Sequence, residues 1–319
     1  MHVNRGFLFW GVALITAGAV ALAATQGIID PAALSGLWRL WPVVLIAIGL
    51  SVILSRTQFA WLGTLAAALV VGLAGGVLVA TGPGFASCNG EPTASETVDG
   101  TFTGTSAEVD LDLTCGRMDL EMADGTAWQA VTSVEADGSQ PERSVDADSL
   151  SLRSESSGLP FARDRQSWDI QLGRDVMYDL SATLNASDSQ LDLTAGRFSA
   201  LDLTTNAGST RLLLGGAAVT ELDVQANAGS LTLVADGATD VTGSIGANAG
   251  SIDLCVPPEV GLRIVVESSV AFSHNLEDRG LAESDDTFTS ANFETAESRI
   301  DLELQGNAAS FNLNPEEGC

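Results

Sequence analysis

Four cysteines are the residues of this 319-residue chain whose chemistry is easiest to predict. Cys88, Cys115, Cys255 and Cys319 all follow residue 80, and none shows the CxxC or Cys/His spacing of a metal site. An even number confined to one part of a chain is typical of disulfides in an oxidising compartment, and four cysteines allow three pairings. We favour Cys88 with Cys115 and Cys255 with Cys319, because each pair would fasten one end of the repetitive region between them. Free thiols are the alternative.

Side chains that could serve catalysis are few. The two histidines are His2, near the N-terminus, and His274, in a polar segment, and the single tyrosine, Tyr178, lies in an apolar strand pattern. No nucleophile elbow, zinc-protease, phosphate-loop or dinucleotide-binding motif is present. Acids are so numerous that a pair at glycosidase spacing is expected by chance, and those from Glu283 to Asp286 lack a calcium-loop pattern. The sequence therefore predicts no enzyme, no catalytic residue, no metal and no cofactor.

The charge of the chain is strongly one-sided. The formal net charge is −27, there is no lysine, and all but one of the 41 acidic residues follow residue 83. Such a surface repels nucleic acid and anionic lipid, so we exclude both as ligands. The repetitive region holds only Arg197, Arg211 and Arg263 as basic residues, which is too few for the cleft of a polysaccharide-cleaving β-helix.

A phrase that returns every 21 residues organises the C-terminal part of the chain. Each phrase begins with an asparagine, and a leucine follows six residues later. The asparagines are Asn185, Asn206, Asn227 and Asn248, with Asn307 after an interruption; the leucines are Leu191, Leu212, Leu233 and Leu254, with Leu313 after the interruption. A fixed period near 20 with alternating apolar residues predicts a parallel β-solenoid with about 21-residue coils.

The asparagine phrase is expected to form the corner of each coil. Asparagine and glycine accept the left-handed backbone that such bends use, and stacked asparagines are able to form a side-chain amide ladder. The alternation around each leucine places the intervening residues outside the coil. These outward residues are Gln190, Arg211, Thr232 and Asp253.

The two ends of the repeat are less regular. Val109 to Met118 echoes Leu191 to Phe198, so we expect coils to begin near residue 100. Late in each unit stand Leu203, Val224, Ile245 and Val266, which predicts that Val266 stacks directly on Ile245. A polar excursion follows, and a last coil over 300–313 is expected to end the stack, with the residues from Asn314 as a cap.

Three apolar runs precede this domain. They cover about 7–25, 37–54 and 59–80, each long enough to cross a bilayer, and they predict a helical transmembrane region over residues 1–80. We assign 81–97 to a linker and 98–319 to the β-solenoid. Arg5 and Arg56 lie on one side of the predicted spans and Arg39 on the other, which places the N-terminus in the cytoplasm and the solenoid outside the cell.

Two stretches resemble known families. Arg5-Gly-Phe-Leu-Phe-Trp-Gly and Leu37-Trp-Arg-Leu-Trp-Pro, with the apolar runs that follow them, are similar to the LiaI/LiaF-like transmembrane region. Trp168-Asp-Ile-Gln-Leu, the asparagine coils and the segment from Phe288 to Ile300 resemble the toast-rack and adhesin-type β-solenoids. The resemblance implies a bacterial plasma-membrane protein that senses or regulates envelope stress through a membrane histidine kinase or another envelope protein. It carries no catalytic or ligand residues to this chain.

The chain departs from the family in its third span and its exported domain. LiaF-like proteins commonly carry the C-terminal domain on the cytoplasmic side, so a signal in this chain would have to pass through the spans. A surface adhesin or structural envelope module is the alternative function. A carbohydrate-binding or carbohydrate-cleaving solenoid is a third, with Trp128 and Trp168 as its tryptophans. Self-association is permitted by exposed coil edges and small residues in the spans, without being required.

Overall fold

The computed structural model divides the chain into two compact units, Met1–Ser87 and Cys88–Cys319. It describes residues 12, 15 and 16 of the first unit, and 88–89, 91–136, 138–154, 163–268, 272–316 and 319 of the second. The described residues of the first unit are helical, and no helix among the residues described is long and apolar enough to cross a bilayer. The three predicted spans lie almost wholly outside the described residues.

The second unit is all β. Its strands are β1 (Cys88–Asn89), β2 (Ala94–Thr101), β3 (Ser106–Leu113), β4 (Gly116–Ala123), β5 (Ala127–Val134), β6 (Glu142–Asp146), β7 (Ser149–Arg153), β8 (Arg163–Asp164), β9 (Gln166–Gly173), β10 (Met177–Leu184), β11 (Ser187–Asp192), β12 (Arg197–Thr205), β13 (Gly208–Leu213), β14 (Ala218–Ala226), β15 (Ser230–Val234), β16 (Asp240–Cys255), β17 (Gly261–Ser268), β18 (Ser273–His274), β19 (Ala282–Ser284), β20 (Thr287–Thr289) and β21 (Arg299–Leu313). Because β2 begins at Ala94, the end of the predicted linker is already part of this unit.

The strands form a β-solenoid in which each coil gives one strand to each of two faces. On the first face β10, β12, β14 and the first half of β16 pair in parallel. On the second face β11, β13, β15 and the second half of β16 do the same. Leu191 pairs with Leu212, and Leu212 with Leu233, so the 21-residue count of the sequence is the register of the stack. The register between β10 and β12 shifts by one residue directly after the pair formed by Tyr178 and Phe198.

The N-terminal end of the stack does not follow chain order. The coil made by β3 and β4 lies directly against β10 and β11, although about 50 residues separate β4 from β10 in the chain. Strands β7 and β9, which come from those intervening residues, lie on the outer side of that coil. The sheet is extended there by antiparallel pairing. Strand β9 pairs with β5, β5 pairs with β2, and β7 pairs with β6.

The C-terminal end is built in the same way. Strand β21 lies between β16 and β17, so Ile245 pairs with Leu304 and Leu304 pairs with Val266. The predicted stacking of Val266 on Ile245 is therefore wrong, and the coil of β21 does not end the stack, because β17 and β18 lie outside it. Strand β20 pairs antiparallel with β17, and β19 pairs antiparallel with β20. The sheet is mixed at both ends rather than wholly parallel.

The core lies between the two faces and runs the length of the stack. The five repeat leucines are at most 2% exposed, since alternation directs every second side chain inward. Complete burial of each such leucine stabilises the fold by roughly 1.5–3 kcal/mol. Near the N-terminal end the core becomes aromatic, where Tyr178 packs against Phe102 and Phe198 at centroid distances of 5.9 and 6.1 Å.

Both tryptophans of this unit belong to the core. Trp128 is 3% exposed and Trp168 is fully buried, with its indole N–H donating to the side chain of Gln166 at 3.0 Å. Neither ring has a face available to stack on a sugar, so the burial of these tryptophans removes the candidates on which the carbohydrate-binding alternative depended.

Candidate functional site

The corner asparagines form a continuous ladder of side-chain amides. Asn206 donates from Nδ2 to the Oδ1 of Asn185 at 2.8 Å, Asn227 to Asn206 at 2.7 Å, and Asn248 to Asn227 at 2.6 Å. Asn307 continues the ladder onto Asn248 at 2.7 Å, because β21 takes the next place in the stack. The carbonyl oxygen of one side chain thus accepts from the amide of the next along one edge of the solenoid.

The ladder ends on a carboxylate at the first coil. Asn185 donates to the Oδ1 of Asp112 at 3.3 Å, and Asp112 occupies the end of β3, where the 21-residue count does not reach. A carboxylate accepts without needing a donor, so it is a suitable terminus for a run of amides that all point the same way. None of the five asparagines has a positive φ, so their role at the corner is hydrogen bonding and not left-handed backbone.

Glycine supplies the left-handed backbone two residues after three of the five asparagines, whereas Ser187 and Ala309 stand at that position in the other two corners. Gly208, Gly229 and Gly250 have φ of +108°, +106° and +118°. A Cβ built at Gly229 would lie 2.0 Å from the carbonyl oxygen of Gly208 in the neighbouring coil, and the same holds between Gly250 and Gly229. These three corners therefore require glycine for their backbone angle and for the close approach of successive coils.

Both ends of the stack are fastened by a disulfide. Cys88 is bonded to Cys115, between β3 and β4, with 5.5 Å between the Cα atoms, and Cys255 is bonded to Cys319 with 5.6 Å. This is the pairing favoured from the sequence. The first bond ties the start of the compact unit to the coil of β3 and β4, and the second ties the last residue of the chain to the end of β16.

Acidic side chains line the outside of the first face. Asp202 pairs in register with Asp223, and burial together with the charge of Asp223 raises the pKa of the Asp202 carboxyl. In the C-terminal excursion a hydrogen bond to Glu277 raises the pKa of Glu283. Among the described residues no three His, Cys, Asp or Glu side chains are grouped as a metal ion requires, so the structure adds no support for calcium binding at 283–286.

An open cleft of about 450 Å³ lies on the outside of the first face at its C-terminal end. Its floor is formed by the first residues of β14 and β16, and one wall is the segment before β21, which carries Phe293 and Glu294. That segment packs closely on Gly261, where an added Cβ would come within 2.9 Å of the Cα of Phe293. Asn292 fastens it further by donating to the carbonyl oxygens of Pro258 and Glu259 at 3.2 and 3.0 Å.

Two arginines converge on the ring of Phe293 in this wall. The guanidinium carbon of Arg263 lies 4.9 Å from the ring centroid and that of Arg299 lies 5.8 Å from it. A guanidinium over an aromatic face is attracted by the ring, which restricts the motion of both side chains. Phe293 is itself only 7% exposed, so the arginines and the neighbouring chain cover it.

The two arginines differ in their charge partners. Arg263 pairs with its register neighbour Asp301 through two hydrogen bonds, with Nε 2.9 Å from Oδ1, and this pair raises the pKa of the guanidinium. The Nη2 of Arg299 donates to the carbonyl oxygen of Glu294 at 3.2 Å. Within the part of the chain that the structure describes, no carboxylate lies at ion-pair distance from Arg299.

The sequence indicated only part of this cleft. Arg263 is one of the few basic residues in the repeats, whereas Arg299 and Phe293 belong to no repeat position or motif. Arg263 and Arg299 are 36 residues apart, and they meet because β21 lies beside β17, an order that the repeat does not predict. The only available sign was the aromatic and arginine content of the segment from Phe288 to Ile300. His274 lies outside the cleft and is exposed, with its ring 4.9 Å from that of Phe288.

The fold and the N-terminal segment define a β-solenoid domain attached to a membrane region. Residues 8–53 match the LiaI-LiaF-like transmembrane region, and residues 89–234 match the N-terminal domain of toast_rack, DUF2154. The chain therefore resembles the LiaI-LiaF-like transmembrane region over residues 8–53 and the N-terminal domain of toast_rack over residues 89–234, which confirms the resemblance seen in the sequence.

Solved structures that match the chain are distant in sequence. The "putative cell adhesion protein" of Clostridium sporogenes ATCC 15579 is 14% identical over 70% of this chain and 99% of that chain, with a TM-score of 0.47. The "putative adhesin" of Bacteroides fragilis NCTC 9343 is 13% identical over 70% and 98%, with a TM-score of 0.29. No curated protein matches the chain.

Proposed function

We propose that this chain is a non-enzymatic β-solenoid protein of the bacterial cell envelope that senses or regulates envelope stress. The observation that carries the proposal is the joint presence of a LiaI-LiaF-like transmembrane region and a toast_rack domain in one chain. Each coil contacts its neighbours through the shared core and the amide ladder, so the effect of a ligand at one end would pass from coil to coil. The partner that receives the signal is a membrane histidine kinase or another envelope protein, contacted through the spans.

The proposed topology places the N-terminus in the cytoplasm, three helical spans in the plasma membrane, and the unit Cys88–Cys319 outside the cell. Two disulfides support this orientation, because such bonds persist in oxidising compartments. The net charge of −27 is compatible with an exported surface and opposes any contact with nucleic acid. The proposal includes self-association of the chain, through the spans or through the coil edges.

The topology is tested by labelling. Ser55→Cys and Ser230→Cys variants, each with the native disulfides left oxidised, would be exposed on intact cells to a membrane-impermeant maleimide. Ser230 is exposed on β15, and the proposal expects labelling there and none at Ser55. Permeabilised cells, in which both variants should react, provide the control. The opposite pattern on intact cells would place the solenoid in the cytoplasm and make direct contact with a kinase the better hypothesis.

The regulatory role is tested by removing the gene and measuring a stress-responsive promoter during treatment with a cell-wall antibiotic. We expect an altered response that the complete chain restores and a chain lacking residues 88–319 does not. An unchanged response in the deletion strain would contradict the sensor hypothesis.

A surface adhesin or structural module is the second candidate. It is favoured by the continuous outer surface of the stacked coils and by covalent closure at both ends, which suits a domain exposed to mechanical load. This hypothesis expects a deletion strain with reduced attachment or altered envelope integrity and a normal stress response. The two phenotypes together separate it from the sensor.

A further inference from the structure

The cleft beside Phe293 holds a cation with unused hydrogen-bonding capacity on an otherwise acidic domain. Arg299 has five N–H donors, and its one described hydrogen bond from the guanidinium goes to the carbonyl oxygen of Glu294. The neighbouring Arg263 is already neutralised by Asp301. Arg299 is therefore the group in the cleft that is able to pair with an external oxyanion.

Arg299 is also well positioned before any ligand arrives. Its backbone N–H donates to the Oδ1 of Asp240 at 2.8 Å, and its guanidinium rests beside the ring of Phe293. A side chain held in this way loses less conformational entropy on binding than a free surface arginine. The arrangement favours an interaction with fixed geometry over diffuse attraction of counterions.

The remaining polar groups of the cleft restrict the ligand. Asp240, Asp301 and Glu294 bring three carboxylates to its lining, and these would repel a ligand with several negative charges. Carboxylates and the hydroxyls of Thr220 and Thr242 are instead good partners for the hydroxyl groups of a ligand. A volume of about 450 Å³ exceeds that of a simple inorganic anion and falls in the range of small-molecule sites.

We propose that this cleft binds a sugar or polyol unit that carries one negative charge, with Arg299 pairing the charged group and the acidic side chains accepting from the hydroxyls. Two envelope sources share this chemistry, a uronic acid in a polysaccharide and a phosphodiester in a polyol phosphate polymer. This proposal depends only on the folded domain, so it applies whether the chain is a sensor or an adhesin.

The test is ligand-observed saturation-transfer NMR on the complete chain in an uncharged detergent without a sugar headgroup. Methyl α-D-glucuronoside and glycerophosphoglycerol serve as the two monoanionic probes, and methyl α-D-glucoside serves as the neutral one. We expect saturable binding of at least one anionic probe and much weaker binding of the glucoside. The stronger of the two anionic probes identifies the source.

The decisive variant is Arg299→Gln, with Arg197→Gln as its matched control. Arg197 is likewise an exposed arginine at the start of a strand on the same face, and it also donates to a backbone carbonyl oxygen, that of Asp175 at 3.0 Å. Loss of one charge-assisted pair predicts roughly tenfold to hundredfold weaker binding for Arg299→Gln. Arg197→Gln should bind as the native chain does.

Three results would overturn the proposal. One is the absence of saturable binding of both anionic probes to the native chain. Another is equal binding of the glucoside and the glucuronoside, which would remove the role of charge. The third is equal weakening by Arg299→Gln and Arg197→Gln, which would reduce the effect to general surface charge. Circular dichroism melting of both variants confirms that each comparison is made between folded proteins.

Discussion

Replacing Asn227 by alanine tests whether the amide ladder stabilises the solenoid. The substitution removes two side-chain hydrogen bonds, the 2.7 Å bond to Asn206 and the 2.6 Å bond from Asn248. It also leaves the Oδ1 of Asn206 and the Nδ2 of Asn248 without their ladder partners. A hydrogen bond contributes about 0.5–1.5 kcal/mol net, so the two together predict a loss of about 1–3 kcal/mol in the free energy of unfolding.

A double variant gives a stricter test, because neighbouring asparagines of the ladder share a hydrogen bond. Asn206→Ala alone also removes two bonds, one to Asn185 and one from Asn227. The double variant removes three bonds in total, because the bond between Asn206 and Asn227 belongs to both single variants. The double variant should therefore be more stable than the sum of the single losses predicts, by about one bond, or ~0.5–1.5 kcal/mol.

The measurement is urea unfolding of the native chain, both single variants and the double variant, followed by far-ultraviolet circular dichroism. Ser230→Ala is the matched control, since Ser230 is exposed on the same coil and its side chain makes no hydrogen bond within the described residues. If Asn227→Ala and Ser230→Ala differ by less than about 0.5 kcal/mol, or if the two asparagine variants add without coupling, the ladder is not a source of stability.

Three further predictions concern a corner glycine, a disulfide and the carboxyl group of Asp236. Gly229→Ala should lower the free energy of unfolding by more than about 2 kcal/mol, because the new Cβ would lie 2.0 Å from a carbonyl oxygen. Gly125→Ala should lower it by only about 1 kcal/mol, because Gly125 has a positive φ but no atom within 4 Å of an added Cβ. Thermal melts compare the two variants. Removing the bond between Cys255 and Cys319 by a double serine substitution should cost about 2–4 kcal/mol in urea unfolding, since it closes a long loop, and an unchanged midpoint would contradict this. Backbone hydrogen bonds, first that from Ala238, lower the pKa of Asp236, so its stabilising contribution is present above the ordinary carboxyl pKa and is lost as the pH falls through the lowered value. Asp236→Asn should therefore be less stable than the native chain at pH 7, with a gap that narrows in unfolding experiments below about pH 4, and a gap that stays constant would refute the assignment.

The repeat predicted the register of the solenoid because period and alternation are physical requirements of stacking. Each leucine that follows an asparagine by six residues faces the core, and successive leucines pair across coils. The order of the terminal coils was not predictable on the same basis. Val266 and Leu304 both occupy inward positions in alternating strands, and both are buried aliphatic side chains. Alternation fixes which face of a strand is buried, but it does not choose the neighbour.

The cleft was difficult to predict for the same reason. Its two arginines lie on β17 and β21, and they approach one ring only because these strands are neighbours. The pairing of the cysteines was easier to predict, because four cysteines near the ends of a stack allow few pairings between nearby residues. Trp128 and Trp168, the tryptophans of the carbohydrate-binding alternative, are buried on β5 and β9, the paired strands that cover the first coils.

The position of β21 between β16 and β17 has a consequence for how the protein is made. A chain that emerges from its N-terminus completes β17 while β21 is still absent, so the edge of β16 that β21 covers in the finished stack is then unpaired. Residues 299–306 take their place between β16 and β17 only after both of those strands have been made. The bond between Cys255 and Cys319 joins β16 to a residue that follows β21, so it forms only after β21 has been made. A chain in which this pair is oxidised therefore already contains the strand that separates β17 from β16.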